Sequence, residues 1–353
     1  MADPTDPDRN PTPAEQAALL EKAMFEIKKV IVGQDALVEK LFVALLARGH
    51  CLIEGVPGVA KTLAVETAAR VSGAAFNRLQ FTPDLVPSDI LGTRIYKQSS
   101  ETFDIELGPV HTNFVLADEI NRAPAKVQSA MLEVMAEGRI DIGGKSFPLP
   151  KPFLVMATQN PIEQEGVYPL PEAQRDRFLF KIVVGYPTDA DEREIIFRMG
   201  ANPPEAEAIL NPEQLLSLQA SSDEIFVHNA LVDYAVRIVM ATRNPAAAGV
   251  GHLADFIQYG ASPRASLGLV RATRAIALLR GRDYALPQDL DDIATEVLRH
   301  RLVLTYDALA DNIDPDHIVR ELLAAVPAPT VTPRQDAAPR PVEQPAQGQA
   351  GAW

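Results

Sequence analysis

The first half of this 353-residue chain alternates short apolar runs with segments of helical periodicity, and no other feature limits the fold as strongly. Five runs are predicted to be strands: HCLIEG (50–55), FNRLQF (76–81), NFVLADE (113–119), FLVMATQN (153–160) and FLFKIVV (178–184). Parallel strands need long crossover connections, which are usually helices. The alternation therefore predicts a parallel sheet with helices on its faces.

The second half, from about Thr188, contains no comparable strand runs and is predicted to be helical. Apolar residues recur there at the spacing that places them on one face of a helix. Two such stripes are expected to face the core: Leu231, Ala235 and Ile238, and Leu267, Val270, Ala277 and Leu278. A smaller helical domain is therefore expected to follow the sheet domain.

Composition and helix signals suggest where the parts of the chain begin and end. The expected parts are a disordered tail (1–11), the α/β domain (12–187), the helical domain (188–326) and a second disordered tail rich in Pro, Ala and Gln (327–353). The tails contain too few periodic apolar residues to offset the entropy lost on ordering. The first helix is expected to begin at the capping residue Thr12, with Pro13 and Glu15 in its first turn, and to end near Lys29.

The segment EGVPGVAKT (54–62) joins the first predicted strand to a predicted helix. It matches the phosphate-loop pattern G-x-x-x-x-G-K-[ST] at Gly55, Lys61 and Thr62, but Ala60 replaces the second glycine. Alanine fits there if its φ is negative. Lys61 would reach the β- and γ-phosphates of a nucleotide, and the Thr62 hydroxyl would hold Mg²⁺. A tight turn with a solvent-exposed lysine is the alternative.

Two further strand ends carry polar side chains. Asp118 is suited to bind a metal ion, and Glu119 to take a proton from an attacking water. Asn160 leaves another strand at the edge of the sheet where ligands of α/β proteins bind, and it could orient that water. Taken alone, the acidic pair equally fits a solvated loop, and Asn160 equally fits an Asn-Pro turn.

Composition argues against several classes of function. A net charge of −14 disfavours binding to duplex nucleic acid. No apolar run reaches the roughly 18 residues of a membrane span, and the polar start lacks the features of a signal peptide, so a cytoplasmic location is expected. Cys51, the single cysteine, is interpreted as a core residue, and the spacing of the six histidines supports no transition-metal site.

Several motifs together resemble those of MoxR-family AAA+ ATPases of the helix-two-insert clade. The resemblance runs from about Val30 to Ala325 and is carried by VIVGQ, GVPGVAKT, LADEINRAP, ATQNPIEQEGVYPLPEAQRDRF and ASPRA. It implies a P-loop AAA+ domain with a central parallel five-stranded sheet, an all-α lid domain, and ATP and Mg²⁺ as cofactors. Family members also commonly carry alanine at the position of Ala60. The nucleotide-binding loop so identified comprises Gly55, Val56, Pro57, Gly58, Val59, Ala60, Lys61, Thr62 and Leu63.

The resemblance assigns roles that spacing alone leaves open. Ile31 and Val32 match positions that border the adenine, although both side chains also fit core packing. Asn160 matches the sensor of the γ-phosphate. Arg264 matches the second sensor, which the lid carries, whereas spacing alone would make it a surface charge.

The family also uses an arginine finger, which enters the active site of the neighbouring subunit. Arg177 matches this position. Arg175 is a competitor because it lies two residues away, and Arg122 is a further candidate for a contact across the subunit interface. Without the resemblance, Arg177 and Asp176 would be interpreted as an ordinary surface ion pair.

Two inserts alternate apolar and polar residues on both sides of a turn. These are TRIYKQSSETFDIE, around Ser99 and Ser100, and GRIDIGGKSFPL, around Gly143 and Gly144. Both are predicted to be β-hairpins. They resemble the helix-two insert and the pre-sensor-one hairpin, which contact client proteins in assembled rings, and simple surface hairpins are the alternative.

The resemblance implies a homo-oligomeric, hexameric ring that hydrolyses ATP to activate or remodel client complexes. A von Willebrand factor A domain protein is the expected partner. One alternative is a non-catalytic nucleotide switch or scaffold. Another is the motor subunit of a metal chelatase, or a DNA motor, which the acidic charge disfavours.

Overall fold

The computed structural model describes residues 11–99, 101–161, 166–200 and 203–330. Most of both predicted tails therefore lies outside the described residues, as does Ser100. No helix in the described ranges combines the length and apolar character needed to cross a membrane.

The described residues of the first part of the chain form nine strands and six α-helices. In chain order they are α1 (Pro13–Val30), α2 (Asp35–Leu46), β1 (Cys51–Gly55), α3 (Lys61–Val71), β2 (Phe76–Gln80), α4 (Pro87–Leu91), β3 (Gly92–Lys97), β4 (Thr102–Leu107), β5 (Phe114–Asp118), α5 (Ala125–Glu137), β6 (Arg139–Ile142), β7 (Lys145–Pro148), β8 (Leu154–Gln159), α6 (Glu172–Arg175) and β9 (Phe180–Val184). The start of α1 is as predicted, because the Thr12 side chain accepts from the backbone of Glu15 and the Glu15 carboxylate accepts from that of Thr12.

The remaining part is mainly helical. Its elements are α7 (Asp189–Met199), α8 (Pro212–Glu224), α9 (Asn229–Arg243), β10 (Ile257–Tyr259), α10 (Pro263–Leu279), α11 (Pro287–Leu298), β11 (Val303–Leu304), α12 (Tyr306–Ala310) and α13 (Pro315–Ala325). The antiparallel pair of β10 and β11 was not predicted. Strands of three and two residues are too short to show an alternating pattern in the sequence.

The central sheet contains the five predicted strands in the order β2-β5-β8-β1-β9, and all of its pairings are parallel. The prediction of a parallel α/β sheet is thus confirmed. Every residue of β5 is buried, as expected for a strand covered on both faces. Because the strands are parallel, Gly55, Gln80, Asp118 and Gln159 all lie at the carboxyl edge of the sheet.

Both inserts form antiparallel hairpins outside this sheet, as predicted. The loop between β6 and β7 consists of Gly143 and Gly144, with φ angles of 58° and 79°. Two consecutive positive φ angles are the requirement of a type I′ turn, which explains the glycine pair. The Arg94 side chain of β3 lies against Gly143, so the two hairpins contact each other.

The predicted stripe of α9 is confirmed, but that of α10 is partly wrong. Leu231, Ala235 and Ile238 are buried, whereas the Leu267 residue of α10 is 58% exposed. The buried face of α10 consists largely of small residues such as Ala265, because this helix packs against five others: α1, α2, α8, α9 and α11. A prediction based on large apolar residues does not detect such a face.

Candidate nucleotide-binding site

A cavity of about 380 Å³ opens at the carboxyl edge of the central sheet. Its walls come from the loop between β1 and α3 and from the ends of β5 and β8. The lining residues are Pro57, Gly58, Val59, Ala60, Lys61, Thr62, Leu63, Asp118, Glu119, Thr158, Gln159 and Asn160. Most of the predicted phosphate loop, both predicted acids and the predicted sensor thus lie around one space.

The loop reaches α3 through two left-handed residues. Gly58 has φ 85°, and Ala60, the N-cap of α3, has φ 58° and ψ 23°. The condition of a negative φ at Ala60 is therefore not met, since the chain turns into the helix with the conformation that the missing glycine would adopt freely. The Ala60 side chain forms no cap, so the N–H groups of the first turn are left without a side-chain acceptor. Such a helix start is suited to bind phosphate.

The Lys61 ammonium lies over this loop. Its Nζ donates to the carbonyl oxygens of Gly55 and Val56, the latter at 3.2 Å. Burial lowers the pKa of Lys61, and the carboxylates of Asp118 and Glu119 partly offset that effect. A partly desolvated cation between backbone carbonyls and two acids has the position and charge needed to contact a phosphate group.

The Asp118 carboxylate is held from both sides. Its Oδ1 accepts from the Thr158 hydroxyl at 2.5 Å, and its Oδ2 accepts from Arg78 Nη2 at 2.6 Å and Nε at 3.0 Å. Thr158 in turn accepts from the backbone N–H of Glu119 at 2.9 Å. One threonine on β8 therefore contacts both the Asp118 carboxylate and the backbone of Glu119.

The Glu119 residue has a left-handed φ of 58° and leads into a 3-10 turn at Ile120–Arg122. Its Oε2 accepts from Gln80 Nε2 at 2.8 Å and pairs with Arg122 Nε at 3.1 Å. The chain thus holds this carboxylate at the cavity through a side chain of the neighbouring strand and through a cation of its own turn.

Two residues of this site, Arg78 and Gln80, were not identified from the sequence. They alternate on β2, which pairs with β5 so that Gln80 stands opposite Asp118. The sequence feature that could have identified them is the presence of two polar residues, two positions apart, within the second apolar run. Their role becomes clear only from the pairing of β2 with β5.

The predicted adenine-bordering residues do not line this cavity. Ile31 is buried, and Val32 is half-buried in the connection between α1 and α2. The next residue, Gly33, lies against Asp191 of α7. Their contact with a base stays a prediction.

The predicted Arg177 and Arg264 lie elsewhere, around a second cavity of about 280 Å³. Arg177 Nη1 donates to the carbonyl oxygen of Leu132 at 2.7 Å. The same cavity is lined by His50 and Leu179, which directly precede β1 and β9, so it lies at the amino edge of the sheet. Five residues of strand separate the two edges by roughly 16 Å.

The other two candidate arginines are paired within the chain. Arg122 contacts Glu119, as described above, and Arg175 Nη2 lies 3.9 Å from Glu172 Oε1. A contact of either arginine across a subunit interface stays a prediction.

A metal ion at the first cavity would need ligands from the nucleotide as well as from the protein. Among the described residues, no three or more His, Cys, Asp or Glu side chains are grouped so as to hold a metal. Mg²⁺ commonly binds through one or two protein ligands together with phosphate oxygens and water. The side chains of Thr62 and Asp118, which line the same cavity, fit that mode of binding.

Comparisons with known proteins agree with this geometry. Residues 50–180 match the profile of the ATPase family associated with various cellular activities (AAA), and residues 253–322 match that of an AAA lid domain. The chain is 62% identical over 340 residues to Chaperone MoxR1 of Mycobacterium tuberculosis, covering 96% of this chain and 90% of that protein. It is 34% identical to Protein MoxR of Methylorubrum extorquens, covering 86% and 93% of the two chains.

A solved structure supports the same assignment. The crystal structure of a candidate ATPase from Cytophaga hutchinsonii superposes with a TM-score of 0.84 at 43% identity, covering 89% of this chain and 96% of that one. Fold, site geometry and relatives agree, and the chain belongs to the MoxR family of AAA+ ATPases.

Proposed function

We propose that the chain hydrolyses ATP at the carboxyl-edge cavity and works as a ring that activates or remodels partner complexes. The observation that carries the proposal is the convergence of an uncapped helix start, a lysine and two acids around one space. These groups provide anion binding, charge neutralisation and a general base, which are the requirements of phosphoryl transfer to water.

Each side chain has a distinct role in this proposal. The N–H groups at the start of α3 bind the phosphates, and the Lys61 ammonium approaches the β- and γ-phosphates. Thr62 and Asp118 hold Mg²⁺, which neutralises negative charge on the phosphates when it is bound. Glu119 accepts the proton of the attacking water, and Asn160 orients that water.

The site of a single chain lacks Arg177 and Arg264, because both lie at the opposite edge of its sheet. We propose that they serve the site of a neighbouring copy, Arg177 as the arginine finger and Arg264 as the second sensor. A closed, hexameric ring supplies every copy with such a neighbour.

The client surface is proposed to include the β3–β4 hairpin. Tyr96 and Phe103 are 52% and 57% exposed, their rings lie 5.2 Å apart, and the Arg94 guanidinium lies 4.0 Å above the Phe103 ring. Exposed aromatic residues and arginine are enriched at protein interfaces. Partnership with a von Willebrand factor A domain protein and chaperone-like action rest on the family resemblance. A cytoplasmic location stays the prediction made from the sequence.

A phosphate-release assay separates this proposal from a non-catalytic nucleotide switch. The unmodified chain should release phosphate from ATP in the presence of Mg²⁺, while Glu119→Gln should bind ATP without hydrolysing it and Lys61→Ala should fail to bind it. Glu133→Gln, an exposed acid on α5, is the matched control and should retain full activity. If the unmodified chain binds ATP but releases no phosphate at any protein concentration, the switch is the better description.

A further inference from the structure

The amino-edge cavity carries an excess of positive charge. Four arginines line it, Arg177, Arg264, Arg271 and Arg301, and Asp176 is its single acid. The side chains therefore sum to +3 in a chain whose net charge is −14. A positively charged cavity on an otherwise acidic protein indicates that the cavity binds an anionic group.

The single acid is already engaged within the chain. Asp176 Oδ1 accepts from Arg301 Nε at 2.9 Å, and its Oδ2 accepts from the Ser262 hydroxyl at 2.8 Å. Arg264 approaches the same carboxylate only to 3.8 Å. Burial lowers the pKa of Arg301 to about 10, and the Arg264 charge contributes to that lowering. The remaining cations of this cavity are thus not neutralised by Asp176.

Arg271 is the least engaged of the four arginines. It is exposed on α10, and it forms no hydrogen bond or ion pair with any residue in the described ranges. It lies two helical turns beyond Arg264 on the face that also carries the exposed Leu267. An exposed apolar side chain between an unpaired arginine and the weakly paired Arg264 is suited to a surface that another protein molecule covers.

We infer that this cavity receives the nucleotide phosphates bound by a second copy of the chain, and that Arg271 contacts them together with Arg177 and Arg264. The inference rests on the proposed function and adds a residue to it. The cavity lies at the opposite edge from the chain's own phosphate loop, so its own nucleotide does not reach it. The carboxyl-edge cavity of a second copy, with ATP bound, supplies the complementary negative charge.

The first experiment tests Arg271→Ala in the full-length chain. Hydrolysis under assembling conditions should fall about tenfold to a hundredfold, as expected for the loss of one charge-assisted hydrogen bond. The affinity of the dilute, unassembled chain for a fluorescent ATP analogue should be unchanged. Arg320→Ala, an exposed and equally unpaired arginine on α13, is the matched control and should hydrolyse normally, and Arg271→Lys should recover part of the activity.

The second experiment asks whether Arg271 acts between chains. Mixing Arg271→Ala with Glu119→Gln should restore hydrolysis, because an Arg271→Ala chain keeps its own Glu119 and receives Arg271 from its neighbour. Mixed assemblies that stay inactive would overturn the inference, as would full activity of Arg271→Ala alone or weakened binding by the dilute variant. Loss of assembly, measured by analytical ultracentrifugation, would place Arg271 in the subunit contact instead. If a mixture of Arg177→Ala with Glu119→Gln recovers hydrolysis and the Arg271→Ala mixture does not, the proposed function is retained. Only the role of Arg271 is then rejected.

Discussion

At the scale of single residues, the site depends on backbone conformations that side chains normally avoid. Ala60 and Glu119 both have φ 58°, in the left-handed region where a Cβ atom costs about 1–2 kcal/mol. Both lie at the nucleotide cavity, Ala60 where the chain enters α3 and Glu119 where it leaves β5. The strain is local, and it aims backbone N–H groups and a carboxylate at the same space.

Substitutions at Gly58 and at Ala60 of the phosphate loop should change the free energy of unfolding in opposite directions. Ala60→Gly should raise the free energy of unfolding by about 0.5–1 kcal/mol, because relief of the left-handed strain exceeds the entropy gained by the unfolded chain. Gly58→Ala should lower it by about 1 kcal/mol, for conformational reasons alone, since an added Cβ would meet no atom within 4 Å. Urea denaturation of both variants is the measurement. If both substitutions raised the free energy of unfolding, or both lowered it, this account of the loop would be contradicted.

At the scale of elements, one half-buried histidine joins the start of β1 to two other elements. His50 Nδ1 accepts from the backbone of Val155 in β8 at 3.0 Å, and its Nε2 donates to the carbonyl oxygen of Met135 in α5 at 3.2 Å. The bond to Nδ1 requires the neutral ring, because a protonated Nδ1 cannot accept. Burial accordingly lowers the pKa of His50 from 6.5 to about 4.

This histidine should make folding stability depend on pH. Between about pH 6.5 and pH 4 the unfolded chain binds the His50 proton and the folded chain does not, so stability falls as the pH falls through that window. The full loss is about 3 kcal/mol from this residue, and the buried His300 acts in the same direction. Denaturant titrations across the window should show a weaker pH dependence for His50→Gln than for the unmodified chain. An equal pH dependence of the two proteins would contradict this account.

At the scale of the whole molecule, the proposed function divides the active site between opposite edges of one sheet. The carboxyl edge holds the phosphate loop with Asp118 and Glu119, and the amino edge holds Arg177 and Arg264. A head-to-tail arrangement of copies would bring the two kinds of edge together. Activity should then depend on protein concentration, unlike that of an enzyme whose site is complete in one chain.

Mixing two inactive variants tests the pairing of these edges. Arg177→Ala should bind ATP normally and lose about 10³-fold in hydrolysis, and Glu119→Gln should be inactive for lack of its base. Activity should return on mixing, because an Arg177→Ala chain retains Glu119 and receives Arg177 from its neighbour. A mixture that stays inactive while mixed assemblies form would show that Arg177 is not the finger. Arg175 and Arg122 would then be the variants to test.

The sequence by itself determined the parts of this protein that depend on neighbouring positions along the chain. Five apolar runs gave the five strands, a glycine pair gave a hairpin, and the loop before Lys61 indicated a phosphate site. The periodicity of apolar residues, the glycines of a tight turn and the residues of a helix cap are set within a few consecutive positions, so each leaves a local pattern. The position of Arg177 at the amino edge of the sheet also follows from the sequence. This residue directly precedes the fifth apolar run, and parallel strands all begin at the same edge.

Tertiary structure alone decided the contacts between distant segments. Arg78 and Gln80 reach Asp118 and Glu119 only because β2 pairs with β5. The spacing of the apolar runs along the chain does not determine the order of the strands in the sheet. The left-handed φ of Ala60 was likewise decided by the strand and the helix that the loop must join, against the preference of the residue itself. Such outcomes follow from packing the whole chain into one arrangement, because strand order and loop strain are fixed by contacts that no short segment contains.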